Sequence, residues 1–120
     1  MASTPDLIRT AVERFTQDVP ALAPLKLVLQ LELRGRGDVQ QFRVQLPGPE
    51  ISKGVAGDAR VTVTMPRSHF NELAADGKLK QYREAYETGH IKATGDAGVL
   101  KLVGQVIERH EQRARLKKVH

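Results

Sequence analysis

The run Leu-Lys-Leu-Val-Leu-Gln-Leu-Glu-Leu-Arg, residues 25–34, restricts the architecture more than any other stretch of the chain. Leu25, Leu27, Leu29, Leu31 and Leu33 alternate with Lys26, Val28, Gln30, Glu32 and Arg34. A period of two sends successive side chains to opposite faces of a strand. The segment therefore predicts an antiparallel sheet with one apolar face and one mostly wet face. Five leucines on one face need a cover, and amphipathic helices supply it.

The same alternation recurs downstream. After the turn Gly-Arg-Gly-Asp, residues 35–38, Phe42, Val44 and Leu46 repeat it, a weak strand surrounds Ile51, and Val61, Val63 and Met65 alternate with Arg60, Thr62 and Thr64. Ahead of the sheet, Thr4-Pro5-Asp6 predicts a helix start, with Thr4 as the capping hydroxyl and an acid near the positive end of the dipole. Leu7, Ile8, Ala11, Val12 and Phe15 follow at helical spacing. Two short helices are predicted over residues 66–76 and 78–88, closed by Gly77 and Gly89 in the left-handed conformation. The second presents Leu79, Tyr82, Ala85 and Tyr86 on one face. Ile91 and Ala93 mark a last strand, and Val99, Leu102, Val103, Val106, Ile107 and His110 stripe a long final helix.

Gly-His-Ile-Lys-Ala-Thr-Gly-Asp-Ala-Gly, residues 89–98, superficially suggests a phosphate loop. A Walker loop needs Gly-Lys-Ser/Thr at its end, and a dinucleotide fingerprint needs G-x-G-x-x-G; neither is here. Asp96 stands where the incoming helix exposes its free amides, so it caps that helix and repels phosphate. Gly95 is read as the turn from strand to helix, and Gly98 as a position that lets the first helical turn pack closely.

No polar constellation for chemistry emerges. His69, His90, His110 and His120 are isolated in sequence and show no metal-ligand spacing. There is no G-x-S-x-G elbow, and Glu84 and Glu87 sit beside Lys80 and Arg83 as surface ion pairs. The expectation is a non-enzyme with no cofactor and no metal. Arg36-Gly37-Asp38, an adhesion tripeptide, is read as coincidence in a tight turn. No apolar run reaches the ~20 residues of a membrane-spanning helix. The chain has no cysteine, and with no secretory or peroxisomal address recognised, a bacterial cytoplasm is expected. Of the net charge of +5, the last 13 residues carry +3, as five Lys or Arg against two Glu. With no Trp, two Tyr and three Phe, the chain lacks platforms for stacking bases, and nucleic acid is not expected as a partner.

Residues 58–107 resemble the core of the sterol carrier protein, or non-specific lipid-transfer, family. The matching pieces are Asp-Ala-Arg-Val-Thr-Val-Thr-Met (58–65), a short helix with Phe70 and Leu73 before Gly77, and a second helix closing at Gly89. Then Gly-x-Ile-Lys-x-Thr-Gly-Asp (89–96) leads into a long aliphatic helix. The upstream helix, leucine strand and hairpin agree in order, so residues 1–120 are read as a single sterol-carrier-like domain. Two departures stand out: residues 78–89 are charged outside with two tyrosines inside, and Val28 interrupts the wet face.

The resemblance implies an α+β fold, with a roughly five-stranded, mostly antiparallel sheet and helices covering one face. It also implies an apolar cavity for a fatty acid, fatty acyl-CoA or sterol-like lipid, and no catalysis. The residues expected to line the cavity are Leu29, Leu31, Phe42, Val44, Val63, Phe70, Leu73, Tyr82, Tyr86, Val103, Val106 and Ile107. Tyr82 and Tyr86 add a phenol for a polar lipid end. Arg109, Arg113, Arg115, Lys117 and Lys118 are candidates for contact with an anionic head group or membrane. The alternative is an accessory module of the same fold with a filled core, in a lipid or isoprenoid-quinone pathway complex. Oligomeric state stays open.

Overall fold

The computed structural model describes residues 3–118, with side chains over residues 3–116. Its elements run α1 (Thr4–Asp18), β1 (Leu27–Arg34), β2 (Val39–Leu46), β3 (Glu50–Lys53) and β4 (Val61–Pro66). They continue through α2 (Arg67–Asp76), α3 (Leu79–Glu87), β5 (Lys92–Gly95) and α4 (Ala97–Lys118). A 3-10 turn, Pro20–Leu22, links α1 to β1.

The strands form one five-stranded sheet in the order β3-β2-β1-β4-β5. All neighbours are antiparallel except β1 and β4, which run parallel. The register puts Phe42, Leu31 and Val63 in one row across β2, β1 and β4, and Val44, Leu29 and Val61 in the next. The leucine alternation thus becomes the floor of the core. Ile8 of α1 and Phe70, Leu73 and Ala74 of α2 are buried on it, with Leu33 wholly inaccessible.

Because β4 pairs with β1 while β3 lies beyond β2, residues 54–60 must cross the sheet. They cross on the polar face. The Ala56 amide donates to Gln30 Oε1 at 3.3 Å, and Arg43 holds Asp58 at 2.7 Å. The Arg43 guanidinium holds the Asp58 carboxyl below the usual carboxylate range. Gln30 is only 9% exposed for this reason, although the alternation puts it on the wet side. On the same face the Glu32 carboxylate accepts from Gln41 (3.0 Å) and Thr64 (3.3 Å), tying β2, β1 and β4 together. Val28 is half-buried there too.

Several local expectations shift. The α1 cap is Ser3, one residue before Thr4: its hydroxyl accepts from the Asp6 amide and Asp6 accepts from the Ser3 amide, a reciprocal capping box. Gly89 is left-handed (φ 84°), but Gly77 is not, at φ −65°. Gly77 is required by crowding, since a Cβ there would lie 2.9 Å from Leu73 Cα. Asp96 does cap α4, accepting from the amides of Gly98 (2.9 Å) and Val99 (3.2 Å). Gly98 itself is exposed, and its near neighbour is that carboxylate, so close packing against another element is not its role. Asp38 is occupied by Arg67 at 2.9 Å.

Gly95 combines φ 126° with a position where a Cβ would strike the Arg60 carbonyl. Gly95→Ala is expected to cost about 1–3 kcal/mol in urea denaturation. Gly104→Ala, in open space on α4, is expected to gain up to about 1 kcal/mol.

Candidate lipid-contacting interior

The sheet's apolar face and the helices above it bring together most of the residues expected to line a cavity. Leu31, Phe42, Val44, Phe70 and Leu73 belong to the buried core, and Leu29, Val63 and Tyr82 pack against it from its margin. The remaining four lie elsewhere. Tyr86 is 57% exposed on α3. Val103, Val106 and Ile107 are half-buried along α4, which contributes no residue to this core among the described residues. Helix α4 lies against β5 and the 3-10 turn, at the side of the helical layer. Its aliphatic stripe therefore covers an edge of the domain.

Tyr82 is the chemically distinctive member. Its ring meets Phe15 of α1 edge to face, with centroids 5.0 Å apart and planes at 74°. The hydroxyl oxygen is buried and has no hydrogen-bond partner. Burial pushes the phenol above its ordinary value, against a smaller opposing effect of the Arg14 cation. Arg14 in turn donates to the Ala75 carbonyl at 3.2 Å, tying α1 to the end of α2. Helix α3 is anchored lightly, with Ala85 as its buried residue and Tyr82 partly so.

Two clefts flank this interior. One, of about 600 Å³, lies between the end of α1, the α2–α3 junction and α4, with Arg14, Lys78, Lys80 and His110 among its walls and Asp18 and Asp76 opposing them. The other, of about 370 Å³, separates α2 from α3 and is floored by Leu73 and Ala85. Neither is walled by sheet residues. The second holds a pairing that sequence spacing did not reveal: His69 and His90 stack with centroids 5.0 Å apart and planes at 28°. The Thr88 hydroxyl lies 2.9 Å from the Glu84 carbonyl and 2.7 Å from Nδ1 of His90, tying His90 to the end of α3. Among the described residues, no three His, Asp or Glu converge as metal ligands.

Of the basic residues at the carboxyl end, Arg109, Arg113 and Arg115 are exposed along α4. The side chains of Lys117 and Lys118 lie outside the described residues. Arg83 holds Glu87 at 3.0 Å, the expected intrahelical pair, and also reaches Glu111 of α4. No helix among the described residues is long and apolar enough to cross a membrane.

The profile of the SCP-2 sterol transfer family matches residues 8–108. Among solved structures, palmitated sterol carrier protein 2-like 2 from Aedes aegypti is similar at 26% identity and TM-score 0.58, over 83% of this chain and 93% of that one. The crystal structure of sterol carrier protein 2-like 2 from the same organism aligns at 24% identity and TM-score 0.58, over 88% and 98%. The inverting sec-alkylsulfatase Pisa1 from Pseudomonas shares the fold at 21% identity and TM-score 0.55; the match covers 89% of this chain and 16% of that enzyme. No curated protein sequence matches.

The phenol of Tyr82 has a consequence for stability. The folded chain holds that proton after the unfolded chain has lost it, so stability falls as pH rises past about 10. Tyr82→Phe is expected to raise neutral-pH stability by about 1–3 kcal/mol, since a buried unpaired hydroxyl is removed and no hydrogen bond is lost. It is also expected to flatten the alkaline decline, read from denaturation midpoints between pH 7 and 11.

Proposed function

We propose, from the premise that the chain belongs to the SCP-2 sterol transfer family, that it binds one fatty-acid-like lipid between its sheet and helices and carries it without chemical change. The observation that carries this reading is the Tyr82 hydroxyl, a buried donor with no partner inside an apolar layer. Leaving such a group unpaired costs about 1–3 kcal/mol, and a lipid carboxylate or hydroxyl relieves that cost. The palmitated relative at 26% identity supports the same ligand class.

The lipid tail enters on the α3 side. There the helix is held by Ala85 and Tyr82, whereas Ile8, Phe70, Leu73 and Ala74 hold α1 and α2 firmly on the floor. In this reading Leu29, Leu31, Phe42, Val44, Val63, Phe70 and Leu73 meet the tail, and Tyr82 meets its polar end. Val103, Val106 and Ile107 close the margin, and Tyr86 turns inward only if α3 rotates. Burial of about twelve methylenes at about 0.8 kcal/mol each gives about 10 kcal/mol. Association costs of about 4 kcal/mol leave a dissociation constant in the tens of micromolar. Apolar contact discriminates chain length weakly, so selectivity is broad. The single domain spans residues 1–120, and the cysteine-free composition favours a bacterial cytoplasm as its place of work.

A second reading has its own support: the sheet floor is already filled, with Leu33, Val44 and Phe42 almost fully buried. A chain with a permanently filled core is an interaction module. Native mass spectrometry of the purified protein, followed by titration with a fluorescent fatty acid, separates the two. The carrier reading expects about one lipid per chain and a binding constant weakened about 2- to 10-fold by Tyr82→Phe. An empty protein that also refuses the fluorescent lipid establishes the filled core.

A further inference from the structure

Among the described residues, helix α4 places no side chain in the buried core, yet it exposes two large hydrophobics, Leu102 (50%) and Leu116 (66%). Its rotation is set by the half-buried stripe of Val103, Val106, Ile107 and His110 together with the ion pair from Arg83 of α3 to Glu111. At about 100° per residue, Leu102, Arg109, Arg113 and Leu116 fall within about 60° of one another, and Glu111 lies about 170° from their centre. The clamp therefore turns this strip away from α3. All four side chains are exposed, and neither arginine has an ion-pair partner among the described residues. Glu108 falls about 110° from the strip's centre, so no acid of the helix's second half interrupts it. Two leucines and two arginines run along about 21 Å of helix.

We infer that this strip docks the protein on an anionic lipid bilayer. Leu102 and Leu116 enter the boundary between head groups and acyl chains, and Arg109 and Arg113 pair with anionic head groups beside them. The arrangement suits a bilayer better than a protein partner. A helix-helix seam wants contiguous apolar residues every three to four positions, and the centre of a protein interface is depleted in charge. Here the two leucines stand 14 residues apart with cations between them. The tertiary structure also divides the basic tail: Arg115 points about 130° from the strip and takes no part. The inference rests on the carrier reading in one respect, that docking brings the protein to the surface from which lipid is taken.

The test is flotation of the full chain with vesicles of phosphatidylcholine, with and without about 30% phosphatidylglycerol. Binding is expected only to the anionic vesicles, falling as salt rises. At about 1 kcal/mol per cation, Arg113→Gln is expected to weaken it about fivefold and Arg109→Gln/Arg113→Gln about 25-fold. Leu102→Gln/Leu116→Gln also weakens it, while Arg115→Gln changes it by about twofold or less. Every substituted side chain is exposed, so unchanged thermal unfolding checks that the variants fold. Absence of binding by the wild type overturns the inference, as does equal weakening by Arg115→Gln and Arg113→Gln. So does a sedimentation mass showing self-association that the leucine variant abolishes, because the strip is then a protein interface. Uptake of a fluorescent fatty acid from solution is measured separately and is expected to be unchanged in the strip variants, so failure of docking and failure of lipid binding are told apart.

Discussion

Strand β1 is hydrogen-bonded on both sides, antiparallel to β2 and parallel to β4, and the remaining architecture follows from that double pairing. A parallel neighbour cannot be reached by a tight hairpin, because the chain must return to the starting end of the sheet. Residues 54–60 make that return over one face. Once Ala56 and Asp58 lie on Gln30 and Arg43, that face is partly closed, and the helices gather on the other, where the leucines are. Polar pairing on one side and apolar burial on the other therefore select the same orientation of β1. The Glu32 carboxylate, bridged to Gln41 and Thr64, adds a cross-strand tie where apolar contact is absent.

The helical layer is graded in how tightly it is held. Helices α1 and α2 are joined through the core and through the Arg14 bond to Ala75. Helix α3 sits on Ala85 and Tyr82, and α4 is steered by one ion pair and its margin contacts. This gradient gives the domain a firm floor and a lightly held side, with an unpartnered phenol at the junction. Under the proposed carrier function, a flexible apolar guest would enter at the lightly held side. Opening the tight side would sacrifice buried area that the guest must then replace, whereas the loose side yields at lower cost.

Much of this was legible from residue order. The period-two leucines specified a strand with one wet face, the helical spacing of residues 7–15 specified a covering helix, and Asp96 specified its own cap, because these signals depend on neighbours a few residues away. Local chemistry also misled in places. Gly77 reads as a left-handed cap, but the true requirement is a close approach to Leu73 that only the folded α2 terminus creates. Ser3 and Thr4 both offer a capping hydroxyl, and the reach of Asp6 back to the Ser3 amide decides between them.

The candidate site was half visible. Residues on strands and on α2 lie in or against the core, because a sheet face has only two sides. Helix α4 lies at the margin, which residue order does not show, because periodicity tells which side of a helix is apolar and says nothing of the space opposite. With Ile8, Phe70, Leu73 and Ala74 already filling the floor, Val103, Val106 and Ile107 had only the margin to cover. The His69–His90 stack and the Arg83–Glu111 clamp join residues 21 and 28 positions apart, beyond any local pattern. The sequence alone determined the elements, the faces of the sheet and the family resemblance, since these follow from short-range spacing and backbone chemistry. The tertiary structure decided which hydroxyl is left unpaired, which helix is loosely held and which arginines share a face, since those depend on how a finite volume is filled.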